Sequence, residues 1–447
     1  MKIPVEVFFM DDRSTNIQTG LVPKMLTVFD AAGLGEIIEK GDLVAVKLHM
    51  GEWNTTSYIR PVYARAICDK IKELGGKPFI TDTTTLPYYP YASRTTAYDY
   101  LKTAERNGFS SATMGCPIII ADGFFGNDDV LIDLPEGNYL KEQYIGAAIA
   151  HADAMIVLTH FKGHPLGVFG GAIKNMGVGC ASKRGKHNLH LARDYNVGWN
   201  VAPYNPQLCM GKQCPKSNIC ENLCPVDAIE ITEDSLIWHQ DKCIGCLNHI
   251  FPTSECGAFL SLGMADLLET SCVAIADSAL AAQKAVGKDK IGYINLALDI
   301  SPWCDCVMWA DRPLIPNLGV FASKDMVAID MACLDMARES DIIAGSVAEM
   351  KALSSGIEKF SAAGALIGSS EMIQVNAAAM NGGGSREYKL KKVNPVSGDE
   401  VSQFLIDPMP VSQKIKKYYQ KQMIVPKTFK RAEKIDLTKY RHREASE

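Results

Sequence analysis

The sequence contains no run of about 18 consecutive apolar residues, the length that an α-helix needs to cross a bilayer. We expect no secretory leader in the N-terminal MKIPVEVFFMDDRSTN, because its short apolar run leads straight into two aspartates, without a small-residue cleavage site. We interpret this stretch as a first β-strand and expect a cytoplasmic protein with no membrane span.

An excess of positive charge is missing as well. The 46 lysines and arginines are outnumbered by 51 aspartates and glutamates, which gives a formal net charge of −5. We therefore expect no nucleic-acid partner and weak repulsion from anionic membranes. No internal repeat of about 20–50 residues occurs, so the sequence does not predict a repeat architecture.

Short apolar runs alternate with helical segments through most of the 447 residues. This alternation predicts an α/β fold, a mostly parallel sheet with helices on both faces. The predicted strands are Val5–Phe9, Leu43–Leu48, Pro78–Thr81, Ile118–Ala121, Ala154–Thr159, Ile291–Ile300 and Leu318–Ala322. The predicted helices are Val62–Leu74, Thr96–Asn107, Ala258–Leu268, Ser278–Ala285 and Ala328–Met336.

Changes in composition suggest the domain boundaries. Residues 1–200 and 263–375 are expected to form the two parts of the α/β domain, because a stretch rich in Cys, Pro, Asn and Lys interrupts the pattern over residues 201–262. Residues 376–447 are a C-terminal extension with a predicted helix, Val411–Met423, and a basic arm. We expect the arm to pack on the body or on a second copy of the chain, as in a homo-oligomer; docking to an acidic partner is the alternative.

The 14 cysteines are distributed unevenly. Seven of them lie in the interrupting stretch, with the spacing Cys209-x4-Cys214-x5-Cys220-x3-Cys224-Pro225, Cys243-x2-Cys246 and Cys256-Gly257. In the cytosol, thiols at this density indicate metal ligation rather than disulfides.

The spacing resembles that of bacterial ferredoxins, in which C-x2-C-x2-C-x3-C-P supplies thiolates to [4Fe–4S] clusters and the Cys before Pro serves the other cluster. The first half is stretched here, and the second half lacks its third cysteine. A two-fold arrangement assigns the first cluster to Cys209, Cys214, Cys220 and Cys256. It assigns the second to Cys224, Cys243, Cys246 and either His249 or a residue from elsewhere. An imidazole in place of a thiolate would raise the reduction potential.

Zinc is the alternative, because paired cysteines at short spacing also build zinc ribbons. Seven cysteines and one histidine would then form two four-ligand sites. The Cys-Pro-x-x-Ala-Ile run favours iron–sulfur, and unligated thiols are the least favoured interpretation.

The strand predicted at Ala154–Thr159 leads into HFKGHPLGVFGGAIKN, residues 160–175. Ligands bind at the carboxyl ends of parallel strands, where glycines let backbone N–H groups approach an anion and imidazoles can move protons or hold a metal. We predict a small-molecule pocket in which His160, Lys162, His164 and Lys174 are catalytic. The predicted cofactor-binding residues of the loop are Gly170, Gly171 and Asn175. The alternative is a loop whose glycines only allow close packing.

A second constellation, Trp303-Cys304-Asp305-Cys306, follows the strand predicted at Ile291–Ile300. Two cysteines at i and i+2 point to opposite faces of an extended chain, but on a turn they can converge on one metal. We therefore add Cys304 and Cys306 to the cofactor-binding residues, with burial as small apolar side chains as the alternative. Asp325 is predicted to cap the helix that follows it.

Three stretches together resemble the domain-of-unknown-function 362 (DUF362) family of iron–sulfur center proteins. They are HFKGHPLGVFGGAIKNMGVGCASKRGK from residue 160, CDCVMWADRPLIPNLGVFASKDM from residue 304, and the insert between them. The resemblance implies an α/β domain interrupted by a ferredoxin-type module, and it settles no reaction. Family members carry two complete C-x2-C-x2-C-x3-C motifs; this chain departs from both, so one or two [4Fe–4S] clusters are expected. His164-PLGVFGGAIK is also similar to a loop of lactate racemase-type nickel-pincer enzymes.

Three functions follow as hypotheses. The first is an electron-transfer protein or redox subunit, which receives electrons in the insert and passes them to a partner protein or to a site on the α/β body. The second is a metal- or cofactor-dependent reductase or isomerase with its pocket at the HFKGH loop. The third is a zinc-stabilised binding protein.

Overall fold

The computed structural model describes residues 4–15, 19–86, 93–190, 205–243, 256–258, 264–363 and 369–393, together with Lys416, Lys417 and Lys430. These residues form the strands β1 (Val5–Asp11), β2 (Leu43–Lys47), β3 (Lys77–Asp82), β4 (Ile118–Ile120), β5 (Asp129–Asp133), β6 (Glu142–Gly146), β7 (Ala154–His160), β8 (Lys162–His164), β9 (Val168–Gly170), β10 (Ile229–Ile231), β11 (Leu236–Trp238), β12 (Ile291–Ala297), β13 (Gly319–Ser323) and β14 (Tyr388–Lys392).

Eight of these strands make one sheet, in the order β14-β1-β13-β12-β7-β2-β3-β4. Neighbouring strands run parallel except on either side of β13, which is antiparallel to both β1 and β12. The prediction of a mostly parallel sheet is therefore confirmed. Strand β12 is shorter than predicted, because Asp299 adopts a positive φ of 48° and turns the chain away from the sheet.

Each central strand serves two apolar cores, one on each face of the sheet. In β7, where all seven residues are buried, Met155 and Val157 face one core while Ile156 and Leu158 face the other. This near-continuous burial is typical of parallel strands covered on both sides. Helices supply the covering layers, so the prediction of helices on both faces is also confirmed.

Helices from the N-terminal part of the chain cover one face of the sheet, and helices from later parts of the chain cover the other. Their bounds are Leu21–Ala31, Pro61–Glu73, Ala97–Arg106, Ser111–Met114, Ala147–Ala150, Ala172–Gly177, Lys183–Leu189, Ser217–Asn222, Met264–Val286, Met326–Glu339, Val347–Met350, Lys359–Ala363 and Met372–Met380. Short 3₁₀ turns lie at Leu34–Ile37, Pro206–Leu208, Gly211–Gln213 and Lys288–Lys290. Where two helices were predicted, 258–268 and 278–285, the structure has the single helix Met264–Val286. Packing against Ala172–Gly177 and Met372–Met380 overrides the weak helix propensity of the β-branched residues between.

The insert has its own small framework. The helix Ser217–Asn222 packs on a two-stranded antiparallel hairpin formed by β10 and β11. Ile229, Ile231 and Trp238 are buried. Their side chains belong to the apolar core that the later helices of the chain form on one face of the sheet.

The C-terminal region adds to the sheet. Strand β14 pairs in parallel with β1 at the edge, and the boundary proposed at 375/376 lies inside the helix Met372–Met380. The chain divides into one compact unit, 1–403, and a second, 404–447. Most of the predicted helix Val411–Met423 lies outside the described residues.

Candidate functional site

Four neighbouring strands deliver polar side chains to one edge of the sheet. The carboxyl ends of β2, β3, β7 and β12 are adjacent, because these strands are parallel in the order β12-β7-β2-β3. Ligand sites in such sheets lie outside the carboxyl ends. The side chains buried or partly buried at this edge are Lys47, His49, Glu52, Asp82, Arg94, His160, Lys162, His164, Lys174 and Asp305.

His160, the last residue of β7, has oxygen acceptors at both ring nitrogens. Nδ1 lies 2.7 Å from Asp305 Oδ1, and Nε2 lies 2.7 Å from the Leu298 carbonyl oxygen. An imidazolium, with two N–H donors, satisfies both contacts. Burial opposes ionisation of Asp305, but the positive charges of His160 and Lys162 outweigh it and lower the Asp305 pKa. His160 and Asp305 therefore join the end of β7 to the loop after β12.

Lys162 and Lys174 flank Gly170. A Cβ at Gly170 would lie 3.2 Å from Lys162 Nζ and 3.7 Å from Lys174 Cδ, so a side chain at this position would crowd the Lys162 ammonium and pack against the Lys174 chain. Lys162 Nζ donates to the His160 carbonyl at 3.0 Å and lies 3.7 Å from Asp305 Oδ2. Burial lowers the pKa of Lys162, and it lowers that of Lys174 further because Lys162 and Arg94 also oppose a second charge.

His164 lies against the Cys304–Cys306 pair. The ring Nδ1 accepts the backbone N–H groups of Leu166 (3.1 Å) and Gly167 (2.8 Å), so the ring proton is on Nε2, 3.7 Å from Cys306 Sγ. Burial holds the His164 pKa well below its ordinary value. Cys304 and Cys306 form a disulfide, and the turn predicted to bring them together is present.

The same three side chains are a candidate metal group. The ligand atoms of His164, Cys304 and Cys306 all lie within 4.8 Å of one another. Two sulfurs and an imidazole suit soft or borderline metals such as zinc or copper. This group could hold a metal ion after the disulfide is reduced and the Nε2 proton has left.

The glycines of the loop serve close packing. A Cβ at Gly163 would lie 2.0 Å from the Pro302 carbonyl oxygen, and one at Gly171 would lie 2.3 Å from Asp330 Oδ1. The Asp330 carboxylate accepts the N–H groups of Ala172 and Ile173, so these amides are already occupied at the start of the helix. The cofactor-binding role of Gly170 and Gly171 stays a prediction.

Lys47 and Glu52 of this edge were not singled out from the sequence. Lys47 binds both Asp82 (2.9 Å) and Asn175 Oδ1 (2.7 Å), which ties the predicted Asn175 to β2 and β3. Arg94 Nε pairs with Glu52 at 2.8 Å, and both side chains are buried. The available signal was position: Lys47 and Asp82 each end a buried strand, where charge is otherwise rare.

Other predicted features have structural roles. Asp325 accepts N–H groups at Val327 and Ala328, both at 2.9 Å, which confirms it as a helix cap. The basic run after Cys180 forms the helix Lys183–Leu189, in which Lys186 is buried and donates to Thr83 and to the Ala181 carbonyl.

In the insert, four of the predicted ligands are electrostatic neighbours. The thiol of Cys220 interacts electrostatically with those of Cys256, Cys214 and Cys209, and burial together with these neighbours raises its pKa to about 11. Burial and the neighbours Cys256 and Cys214 likewise raise the pKa of Cys209. These are the four cysteines assigned to the first cluster, and their role as ligands stays a prediction.

Backbone N–H groups point at three of the insert's sulfurs. Gly211 donates to Cys209 Sγ (3.3 Å), and Ala228 donates to Cys224 Sγ (3.0 Å). Ala258 donates to Cys256 Sγ (3.5 Å). For the second predicted cluster, Cys224 is partly buried and Cys243 is buried, whereas Cys246 and His249 lie outside the described residues.

The comparison with protein families gives the affiliation. A family model described as "Domain of unknown function (DUF362)" matches residues 44–335. The chain belongs to the DUF362 family. In this DUF362 protein the matched region runs from β2 to the helix Met326–Glu339, so it contains the insert and all four strand ends that build the candidate site.

Among solved structures, the DUF362 chain is similar to the lactate racemase apoprotein from Thermoanaerobacterium thermosaccharolyticum, with 14% sequence identity and a TM-score of 0.31. The match covers 67% of this chain and 53% of the other, so the chain spans about half the length of that protein. A search of curated proteins found no match. Among the helices of the described residues, none has both the length and the apolar character needed to cross a membrane.

Proposed function

We propose that this DUF362 protein is an electron-transfer protein whose insert holds at least one [4Fe–4S] cluster and whose sheet edge carries the site that the electrons serve. The observation that carries the proposal is the convergence of Cys209, Cys214, Cys220 and Cys256, with backbone N–H groups directed at the sulfurs of Cys209 and Cys256. Thiolate ligands and N–H···S hydrogen bonds are the means by which proteins hold such clusters and set their potential.

The spacing of the thiols favours a cluster over a single zinc ion. Zinc–sulfur bonds of about 2.3 Å place the sulfurs of a tetrahedral site about 3.8 Å apart. In the described part of the insert, no three cysteine sulfurs all lie within 4.8 Å of one another. These thiols therefore do not form a preassembled single-zinc site, and the Cys-Pro-x-x-Ala-Ile run that begins at Cys224 favours iron–sulfur.

The Cys304–Cys306 pair is the proposed electron-accepting site on the body. Reduction of the disulfide takes two electrons, breaks the S–S bond and, with two protons, gives two thiols. A bound cluster would supply electrons one at a time. His164 Nε2–H, 3.7 Å from Cys306 Sγ, is placed to stabilise a thiolate there by a hydrogen bond.

The chain holds this pair at a fixed place on the edge. Between the two cysteines, Asp305 binds His160 through its side chain, and its carbonyl accepts the Glu52 N–H at 2.9 Å. Gly163 N–H donates to the Ser301 carbonyl at 2.9 Å on the same loop. Three contacts from β7, the β8 hairpin and the β2 loop therefore fix the position of the disulfide.

The proposal is tested by anaerobic purification of the parent, Cys214→Ser and Cys272→Ala. The parent should absorb near about 400 nm and bleach with dithionite, as iron–sulfur clusters do. Cys214→Ser should lose most of this absorption. Cys272 is a buried thiol outside the insert, so Cys272→Ala should keep it. A colourless parent with two bound zinc ions would support the zinc-binding protein instead.

The second part is tested by differential alkylation and mass spectrometry. Under mild oxidation Cys304 and Cys306 should resist alkylation, and after dithionite treatment of the cluster-loaded protein both should be labelled. Labelling that is the same in Cys214→Ser would show that electrons reach the pair without the cluster and would remove the proposed connection.

A further inference from the structure

The carboxylates at the sheet edge are already engaged. Asp82 pairs with Lys47, Glu52 pairs with Arg94, and Asp305 binds His160 and lies near Lys162. Buried charges need partners, because an ion removed from water without a counter-ion is strongly disfavoured. The three carboxylates are thus matched by Lys47, Arg94, His160 and Lys162 before any further cation is counted, and Asp305 Oδ2 is buried without a hydrogen bond among the described residues.

Lys174 is that further cation. Among the described residues its Nζ has no hydrogen-bond or ion-pair partner, and its Cδ lies beside Gly170, which Lys162 Nζ also borders. The electrostatic neighbours of Lys174 are mainly positive, namely Lys162, Arg94 and Lys47, against one carboxylate, Asp305. The site thus has more cationic groups than its own acidic side chains neutralise.

His49 adds a donor without an acceptor. Its Nδ1 accepts the Gly51 N–H at 2.8 Å, so the ring proton is on Nε2. The Nε2 atom is buried and has no hydrogen-bond partner among the described residues. A buried donor of this kind costs free energy unless something accepts its proton. The charged neighbours of this ring are Arg94, Lys162, Lys174 and Lys47, all of them cations.

We propose that the sheet edge binds the oxyanion of a small ligand, a carboxylate or a phosphate, between Lys174 Nζ, the Lys162 ammonium and His49 Nε2. An oxyanion there would accept a hydrogen bond from His49 Nε2–H, which otherwise has no acceptor. It would also neutralise the charge of Lys174 through charge-assisted hydrogen bonds. His164, which lies within 4.8 Å of the Cys304–Cys306 sulfurs, is also an electrostatic neighbour of Lys174 and Lys162.

This location differs from the one that the glycine-rich sequence indicated. The backbone amides of Ala172 and Ile173 are taken by Asp330, so they are not free to hold a phosphate. The cationic side chains of the sheet edge, rather than the backbone N–H groups at the start of the helix, lack an anionic partner. The inference goes beyond the electron-transfer proposal and does not depend on iron, because none of its groups lies in the insert.

Calorimetric titration tests it with inorganic phosphate and with malonate, on the anaerobically purified full chain at constant ionic strength. Saturable one-to-one binding of either probe is expected, and the tighter one identifies the class of oxyanion. Lys174→Gln should weaken that binding about tenfold or more, the size of a lost charge-assisted bond. Lys324→Gln, which removes an exposed lysine paired with Glu36, should bind as the parent does.

Thermal unfolding guards against a misfolded variant. Lys174→Gln should unfold at a temperature no lower than the parent without anion, because it removes an amine whose charged form is opposed by desolvation and by neighbouring cations. It should also lose the anion-dependent rise in the unfolding temperature. Equal binding by Lys174→Gln and the parent, or binding of neither probe by the parent, would overturn the inference. Since iron content is measured on the same samples, failure of anion binding is distinguishable from failure of the cluster proposal.

Discussion

The insert and the sheet edge assemble their chemical groups in different ways. In the insert, cysteines close together in sequence converge on a small framework of one helix and one hairpin. At the sheet edge, groups from Lys47 to Asp305 are brought together by four parallel strands and buried as pairs of charges. The first arrangement is visible in the spacing of one residue type, whereas the second exists only after folding.

This difference predicts that the two regions respond differently to mutation. In the insert, a lost thiol should remove a bound group and little else. At the sheet edge, a lost carboxylate should cost stability, because its partners stay buried with uncompensated charge.

The largest effect on stability is expected for Asp305→Ala. This change leaves His160 and Lys162 buried without their carboxylate, so the free energy of unfolding should fall by about 3 kcal/mol or more. Denaturant titration followed by circular dichroism measures it. Asp311→Ala, at an exposed position on the same loop, is the matched control. A loss below about 1 kcal/mol would show that the edge is not held by charge pairing.

The pH dependence of the free energy of unfolding tests a buried carboxyl group in the α/β body. Burial raises the pKa of Glu371 to about 7, above about 4.3 in an unfolded chain. The stabilisation from its neutral form is present below pH 4.3 and is lost as pH rises through about 7, so the parent should lose a few kcal/mol between these values. Glu371→Gln stays neutral, keeps an acceptor for the Phe360 N–H and should lack this part of the loss.

Urea titrations from pH 5 to pH 8 compare the two proteins. The exposed Glu105→Gln is the control for removing one negative charge. The same slope in Glu371→Gln as in the parent would assign the pH dependence to other groups.

In the insert, Cys220→Ser should abolish binding of the first cluster's iron without unfolding the body. Both apolar cores that flank the sheet are built mainly from residues outside the insert, so the main unfolding transition should shift by less than about 1 kcal/mol. Iron analysis and far-ultraviolet circular dichroism on one sample check both parts. Unfolding of the whole chain on loss of iron would show that the two regions form one cooperative unit.

The smallest effect is expected at an exposed ion pair of the insert. Lys212 Nζ lies 2.6 Å from Glu233 Oε1, and both side chains are largely exposed. Lys212→Gln should change the free energy of unfolding by no more than about 0.5 kcal/mol. A larger change in a urea titration would mean that surface charges, and not the thiols, maintain the insert.

The sequence predicted the fold class because buried parallel strands such as Ala154–His160 begin with a continuous apolar run, here Ala154 to Leu158. It also placed His160 and Lys162 at a strand end, where the structure has them. It could not reveal that Asp330 reaches the start of the helix Ala172–Gly177 across more than 150 residues, or that His49 lacks an acceptor. Such long-range pairings leave no local pattern. Strand β14 was not predicted for a different reason: its sequence, YKLKK, is mostly lysine.

Iron and acid-labile sulfide per chain, measured on material purified without oxygen, test the central claim most directly. We predict about four iron atoms and about four sulfides for one cluster, or about eight of each for two, and a variant that lacks Cys209, Cys214, Cys220 and Cys256 should lose about four of each, the content of the first cluster. Oxygen-free protein that contains zinc and no sulfide, with its thiols intact, would contradict the account.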